Sequence, residues 1–326
     1  MAVTEKTKAA RRKKTAQQGR GRGESPWRLR RTGGLQILEA GALAGLPWLT
    51  HGFSTRVGGV SEAQGTTGRE RTKNGKVLNL GFTEWDQRER VIENRKRFFT
   101  ALGAEKMRVV TLRQIHSDIV HRIDEPEEGQ ALQGDALITQ KRGVLLTVQT
   151  ADCVPILLAD TKKRAVAAIH SGWRGTARRI AEKALGRMQM EFGTRPEDVI
   201  AAIEPGIGQC CYEVGEDVAK EFHAQFPDAR EWFEGPFDAL ASGENDPNWL
   251  PWLTMRPPGH APPSPRVRLD LIAANRSILA HAGVPAERIY WSSFCTRCRS
   301  DLFFSYRRKK TTGRMMAAIG IVASGE

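Results

Sequence analysis

Three side chains of the 326-residue chain have the chemistry to hold one metal ion together: His116, Cys153 and His170. Catalytic zinc sites take three protein ligands from His, Cys and carboxylates and leave a fourth position for water or substrate. The spacings here, 37 and 17 residues, are far wider than the paired cysteines of a zinc finger. They suit an open site assembled from separate loops. The same residues admit a metal-free reading, with Cys153 as nucleophile and His170 as base of a thiol hydrolase. A lone His is usually a hydrogen-bonded structural residue and a lone Cys a buried hydrophobe, so spacing alone leaves these readings open. Cys295 and Cys298 have a metal-compatible C-x-x-C spacing without a second pair. Cys210 and Cys211 follow a glycine turn and fit a pocket wall or buried packing equally well.

The elements that must position the trio are legible from hydrophobic periodicity. Residues 143–149, 154–159 and 165–169 are continuous apolar runs of strand length, the mark of strands buried on both faces. Cys153 falls in the turn between the first two, and His170 follows the third. Ser171–Gly175 turns the chain into a helix with the stripe Ala177, Ile180, Ala181, Ala184 and Met188. His116 interrupts a strand-like stretch, 108–123. Further strands are expected at 35–38, 48–53, 199–203, 288–291 and 315–321, and a helix at 270–282. Asp86 reads as an N-cap with Glu89 three residues on, ahead of a helix bearing Val91, Phe98 and Leu102, with Ile92 and Phe99 beside them. No G-x-G-x-x-G or Walker motif follows any strand, which excludes the common dinucleotide and P-loop sites. Mixed alternation of strands and helices predicts an α/β (α+β) single domain.

The net charge of +13 looks like a nucleic-acid signature until it is located. Residues 1–32 carry eleven Lys or Arg against Glu5 and Glu24, and so nine of the thirteen charges. Such a tail, poor in apolar residues, is expected to be disordered. It would make at most weak, nonspecific anionic contacts, the basis of an alternative reading as a nucleic-acid-associated binding protein. Residues 33–326 form the expected catalytic domain. Within it, 227–265 hold nine of the sixteen prolines and read as an irregular insertion, with Trp232, Trp249 and Trp252 over a satellite core. No apolar run reaches the roughly 20 residues of a membrane span, and no secretory signal is present. With five cysteines this favours a cytoplasmic protein over a disulfide framework.

The wording around the trio narrows the choice. The segments His51–Ser61 (HGFSTRVGGVS), Asn79-Leu-Gly81, Arg113-Gln-Ile-His-Ser117, Gly134-Asp-Ala136, Thr150-Ala-Asp-Cys153, His170-Ser-Gly-Trp-Arg-Gly175, Gly206–Val214 (GIGQCCYEV) and Phe304-Ser-Tyr-Arg-Arg308 occur in order. Together they resemble the YfiH-like family, labelled both polyphenol oxidase (laccase-domain) and purine nucleoside phosphorylase, over about residues 35–322.

That resemblance implies a mixed-sheet sandwich flanked by helices, of a cysteine-hydrolase type. It implies zinc on His116, Cys153 and His170. It also implies phosphorolysis of adenosine, guanosine, inosine and methylthioadenosine, deamination of adenosine, and a link to peptidoglycan precursors that supports the thiol hydrolase or amidase alternative. Copper is not expected, because seven histidines cannot supply a blue-copper site and a trinuclear cluster as well. Arg56, beside Gly58-Gly59, is the first candidate phosphate holder, since Arg forks match phosphate oxygens and glycine exposes amides. Gln114 and Arg174, next to ligand loops, are candidate contacts to base or phosphate. Asp152 is a candidate general acid/base or a partner that orients a ligand His.

Overall fold

The computed structural model describes residues 27–62, 75–124, 132–235 and 266–323. Two six-stranded mixed sheets pack face to face, and helices cover both outer faces. The first sheet runs in the order Trp27–Thr32, Leu35–Ala40, Leu49–Ser54, Met315–Ile321, Val144–Thr150, Arg108–Val110. The second runs Ile289–Trp291, Val199–Ile203, Val154–Asp160, Ala165–Ser171, Ala136–Thr139, Val120–Arg122. Each sheet contains parallel and antiparallel pairs.

The two-residue period of a strand sorts its side chains between the layers. Leu146, Val148, Ala317 and Ile319 of the first sheet meet Leu157, Ala159, Val166 and Ala168 of the second. The alternate residues Leu145, Met316 and Ala318 face the helix Arg88–Ala101 through Phe98. Ile156, Leu158, Ala167 and Ile169 face the helices Ile180–Phe192 and Leu271–His281. The central strands are therefore apolar throughout. No helix among the described residues is long and apolar enough to cross a membrane.

Three boundaries differ from expectation. Trp27–Thr32, assigned by composition to a disordered tail, is an edge strand paired with Leu35–Ala40 through the positive-φ turn Gly33-Gly34. Arg30 is held there by Glu39 at 2.6 Å and by the Ala101 carbonyl, while Arg28 and Arg31 face solvent, as suits an edge. The tail proper, residues 1–26, lies outside the described residues. Asp86 does not cap the helix, which starts at Arg88; its carboxylate instead binds the Ser61 hydroxyl and the Asn79 amide. The proline-rich stretch begins in ordered structure: Phe233–Glu234 pairs with Val267–Leu269, and Trp232 is buried in the core beneath the second sheet rather than in a satellite. Trp249 and Trp252 lie outside the described residues.

Candidate metal centre

The trio meets where the chain passes from one sheet to the other. Strand Val144–Thr150 belongs to the first sheet and Val154–Asp160 to the second, and residues 151–153 bridge them. His170, next to last in its strand, lies opposite Pro155, which brings it beside Cys153. His116 enters from the loop after Arg108–Val110. The Sγ of Cys153 stands 4.0 Å from Nε2 of His116, and the two imidazoles meet edge to face with centroids 5.1 Å apart. All three donor atoms lie within 4.8 Å of one another. A tetrahedral zinc with bonds of about 2.1 and 2.3 Å separates S and N by roughly 3.6 Å, so the donor set fits one metal with little movement. Gly172 closes the wall behind it. A Cβ at that position would stand 2.9 Å from Cys153 Sγ and 3.2 Å from the His116 ring.

Asp135 holds two of the three ligands in place. One carboxylate oxygen accepts the His170 Nδ1–H at 2.9 Å and the His116 amide at 3.1 Å. The other accepts the Ser117 amide and hydroxyl at 2.6 and 2.7 Å, and the Ile115 amide at 3.3 Å. This ring of donors keeps His116 in the left-handed region at φ 57°, a conformation non-glycine residues rarely adopt. With Nδ1 bound to a carboxylate, His170 presents Nε2 to the metal position, the usual arrangement behind a ligand imidazole.

Charge follows geometry. Burial alone would raise the Asp135 carboxyl, but His170 and Ser117 hold it down at about 2. Burial also opposes ionisation of Cys153 and His170. Their mutual attraction, helped by His116 and Asp135, draws the thiol down to about 6 and the imidazole up to about 9. Both shifts favour the charged forms, a thiolate beside an imidazolium, when no metal is held.

The other expected site residues fall elsewhere. Asp152 is buried at φ 108° and binds no histidine. Its side chain accepts the Thr296 hydroxyl and the Arg307 amide, both at 2.6 Å, and its carbonyl accepts the Ile207 amide, so it ties three loops together. Burial raises its carboxyl. Arg56 is only 5% exposed; its guanidinium donates to the Ser300 carbonyl at 2.9 Å and packs on Phe304. The adjacent Gly58 serves close backbone packing, since a Cβ there would fall 2.1 Å from the Gly34 carbonyl oxygen. Gln114 spends its amide on both backbone groups of Gln149 and so fixes the strand end below the turn. Only Arg174 stays exposed, lying over Trp173.

Sequence reasoning gave Asp135, Arg307 and Arg314 no role. Arg314 is half-buried and interacts electrostatically with Cys153 and Asp152. A cleft of about 890 Å³, lined by Trp173, Tyr212, Lys220, Arg266 and Arg307, adjoins the trio without containing it. Tyr212 links the two, its phenol raised by burial and by the nearby Cys153 charge.

The chain is similar in sequence and fold to known proteins. A family model described as multi-copper polyphenol oxidoreductase laccase matches residues 50–322. The purine nucleoside phosphorylase YlmD of Geobacillus stearothermophilus is 35% identical over 282 residues, 84% of this chain and 94% of the relative. An adenosine deaminase from an unknown prokaryotic organism is 36% identical over 265 residues, 78% of this chain and 91% of its own. The crystal structure of the Geobacillus YlmD superposes with a TM-score of 0.72 at 31% identity, covering 92% of this chain and all of that one. Ordered motifs, fold and extent of match agree, and the chain belongs to the YfiH-like family.

Proposed function

We propose that this chain is a zinc-dependent purine nucleoside phosphorylase that also deaminates adenosine, acting on adenosine, inosine, guanosine and methylthioadenosine. The observation that carries the reading is the convergence of His116, Cys153 and His170 on one point, with Asp135 behind His170. The names of the relatives, phosphorylase and deaminase, support the substrate class. Two neutral imidazoles and one thiolate leave a divalent ion with a net charge of about +1. A zinc held there supplies Lewis acidity and activates water near neutral pH. His116 is exposed while His170 is buried, so the centre opens on one side, as a substrate requires.

Phosphorolysis also needs cations for phosphate. Arg314, whose charge acts on Cys153 and Asp152, is placed for this, together with the exposed Arg174 and with Arg307, both of which act on Tyr212. A phosphate oxygen bonds to ribose C1′ as the bond to the base breaks; in deamination, water oxygen bonds to C6 and ammonia leaves. Asp135 keeps the His170 proton on Nδ1 throughout. The full chain purified without added metal should contain about one zinc per chain at this centre, an ion that Cys153→Ala loses, and should convert nucleosides to free bases only when phosphate is present. Near-stoichiometric copper, or near-normal turnover by Cys153→Ala, would overturn the reading.

The thiolate–imidazolium character of the metal-free pair favours one second reading, a cysteine hydrolase acting on an amide such as a peptidoglycan precursor. Metal-free protein should then turn over amides, and zinc should inhibit it, because a coordinated thiolate is not a free nucleophile.

A further inference from the structure

The loops that grip Asp152 gather four more thiols. Cys210 and Cys211 lie in the turn after Gly208, and Cys295 and Cys298 in the loop after strand Ile289–Trp291. The two segments are joined by a parallel bridge between Gly206 and Cys295 and by the Thr296 amide donating to the Gly206 carbonyl at 3.0 Å. The second pair that the C-x-x-C segment lacks in sequence is thus supplied by the fold. The Sγ atoms of Cys211 and Cys298 are 3.4 Å apart, and Cys210 stands 3.7 Å from each. All four sulfurs lie within 4.8 Å of one another. A disulfide needs about 2.05 Å. A tetrahedral ZnS₄ centre with bonds of about 2.3 Å has edges of roughly 3.8 Å.

Backbone donors surround one of the four sulfurs, and burial among the other sulfurs pushes the Cys210 and Cys211 thiols up. The Gly208 amide donates to Cys295 Sγ at 3.2 Å, and the backbone amides of Cys298 and Arg297 also face that sulfur. A Cβ on Gly208 would stand 3.2 Å from Cys295 Cβ and 3.4 Å from Cys210 Sγ, so glycine lets the two segments close on each other.

We propose that Cys210, Cys211, Cys295 and Cys298 form a second, closed metal centre, a tetrathiolate site for one zinc ion. Binding releases the remaining thiol protons to solvent and changes no oxidation state. The ion staples the turn that donates the Ile207 amide to the Asp152 carbonyl to the loop that donates the Thr296 hydroxyl to its carboxyl. It therefore fixes the underside of the catalytic turn and takes no part in turnover.

The test uses the full-length chain and zinc itself, with no nucleoside, so its failure is separate from that of the catalytic reading. Cys153→Ala removes the first centre and leaves all four cysteines. It should retain about one zinc per chain, with X-ray absorption showing only sulfur neighbours near 2.3 Å. Adding Cys298→Ser should release that zinc, while Cys298→Ser alone should keep the zinc that depends on Cys153. Chelation should lower the melting temperature of Cys153→Ala, a readout that touches none of the four thiols. A metal-free Cys153→Ala protein, nitrogen neighbours, a thiol count two short from a disulfide, or iron with inorganic sulfide would overturn the proposal.

Discussion

Asp135 and Asp152 are both buried beside the trio, yet their carboxyls shift in opposite directions. Asp135 receives five hydrogen bonds, one from a histidine that becomes positive, and stays charged. Asp152 receives two neutral donors, with Ser305 near, and burial wins. Asp152 adjoins a ligand in sequence but positions loops; Asp135, 35 residues from His170, positions the ligand itself. Donor count and a nearby cation, rather than proximity along the chain, decide the direction in which each carboxyl shifts.

The largest effect expected from this contrast belongs to Asp135→Asn. An amide offers one acceptor oxygen, so the donors now served by the second oxygen would face an NH₂ group. Orphaned buried donors cost about 1–3 kcal/mol each. Loss of the partner behind a ligand His lowers metal affinity by roughly 10–100-fold. Competition with a chromophoric chelator should show that loss, and nucleoside turnover should fall with it. Because the folded Asp135 carboxyl lies at about 2, its stabilisation is present above the unfolded value of about 3.9 and vanishes as pH falls toward 2. Urea unfolding of chelator-treated proteins should therefore show the gap between variant and native chain closing from pH 5 downward. Unchanged metal affinity would break the comparison.

Asp152→Asn should do less. The amide can still accept from Thr296 or Arg307, so metal affinity is expected to hold, with a stability loss of about 1 kcal/mol and a modest fall in turnover. The pH dependence has the opposite sign. A raised folded value means the stabilising protonated form is complete below about 3.9 and is lost as pH rises. The gap to the native chain should thus narrow toward high pH. A metal-affinity loss as large as that of Asp135→Asn would erase the distinction.

The layers were legible because burial on both faces writes itself as an unbroken apolar run, whereas residue type and spacing left the trio open and the ordered motifs around it carried the expectation. What stayed hidden depends on backbone atoms. Asp135 works through the amides of Ile115, His116 and Ser117, which no residue type encodes. Gly58-Gly59 resembled an anion nest, but these glycines admit close backbone approach, and Arg56 is consumed by the Ser300 carbonyl. Cys210 and Cys211 are adjacent rather than spaced, and only the parallel pairing of Val199–Ile203 with Ile289–Trp291 carries them to the C-x-x-C loop. In Trp27–Thr32 the weight of arginine hid the Gly-Gly hairpin signal that follows it.

Glu204 extends the contrast to its limit and should affect turnover least. It ends strand Val199–Ile203, is fully buried, and neither carboxyl oxygen has a hydrogen-bond partner among the described residues. Burial pushes its carboxyl well above the ordinary range. Where Asp135 has five donors and Asp152 two, Glu204 has none among the described residues, and burial favours its protonated form. Its contribution to stability is then complete below the unfolded value of about 4.3 and is lost as pH rises, by up to roughly 1.4 kcal/mol per pH unit until the folded value is reached. Glutamine has the shape of the protonated acid and does not titrate. Glu204→Gln should match the native chain at pH 4, exceed its urea midpoint increasingly from pH 5 to 8, and leave metal content and nucleoside turnover unchanged. An equal pH dependence in both proteins would mean that Glu204 is ionised and partnered, and that burial alone does not govern the carboxylates of this corner.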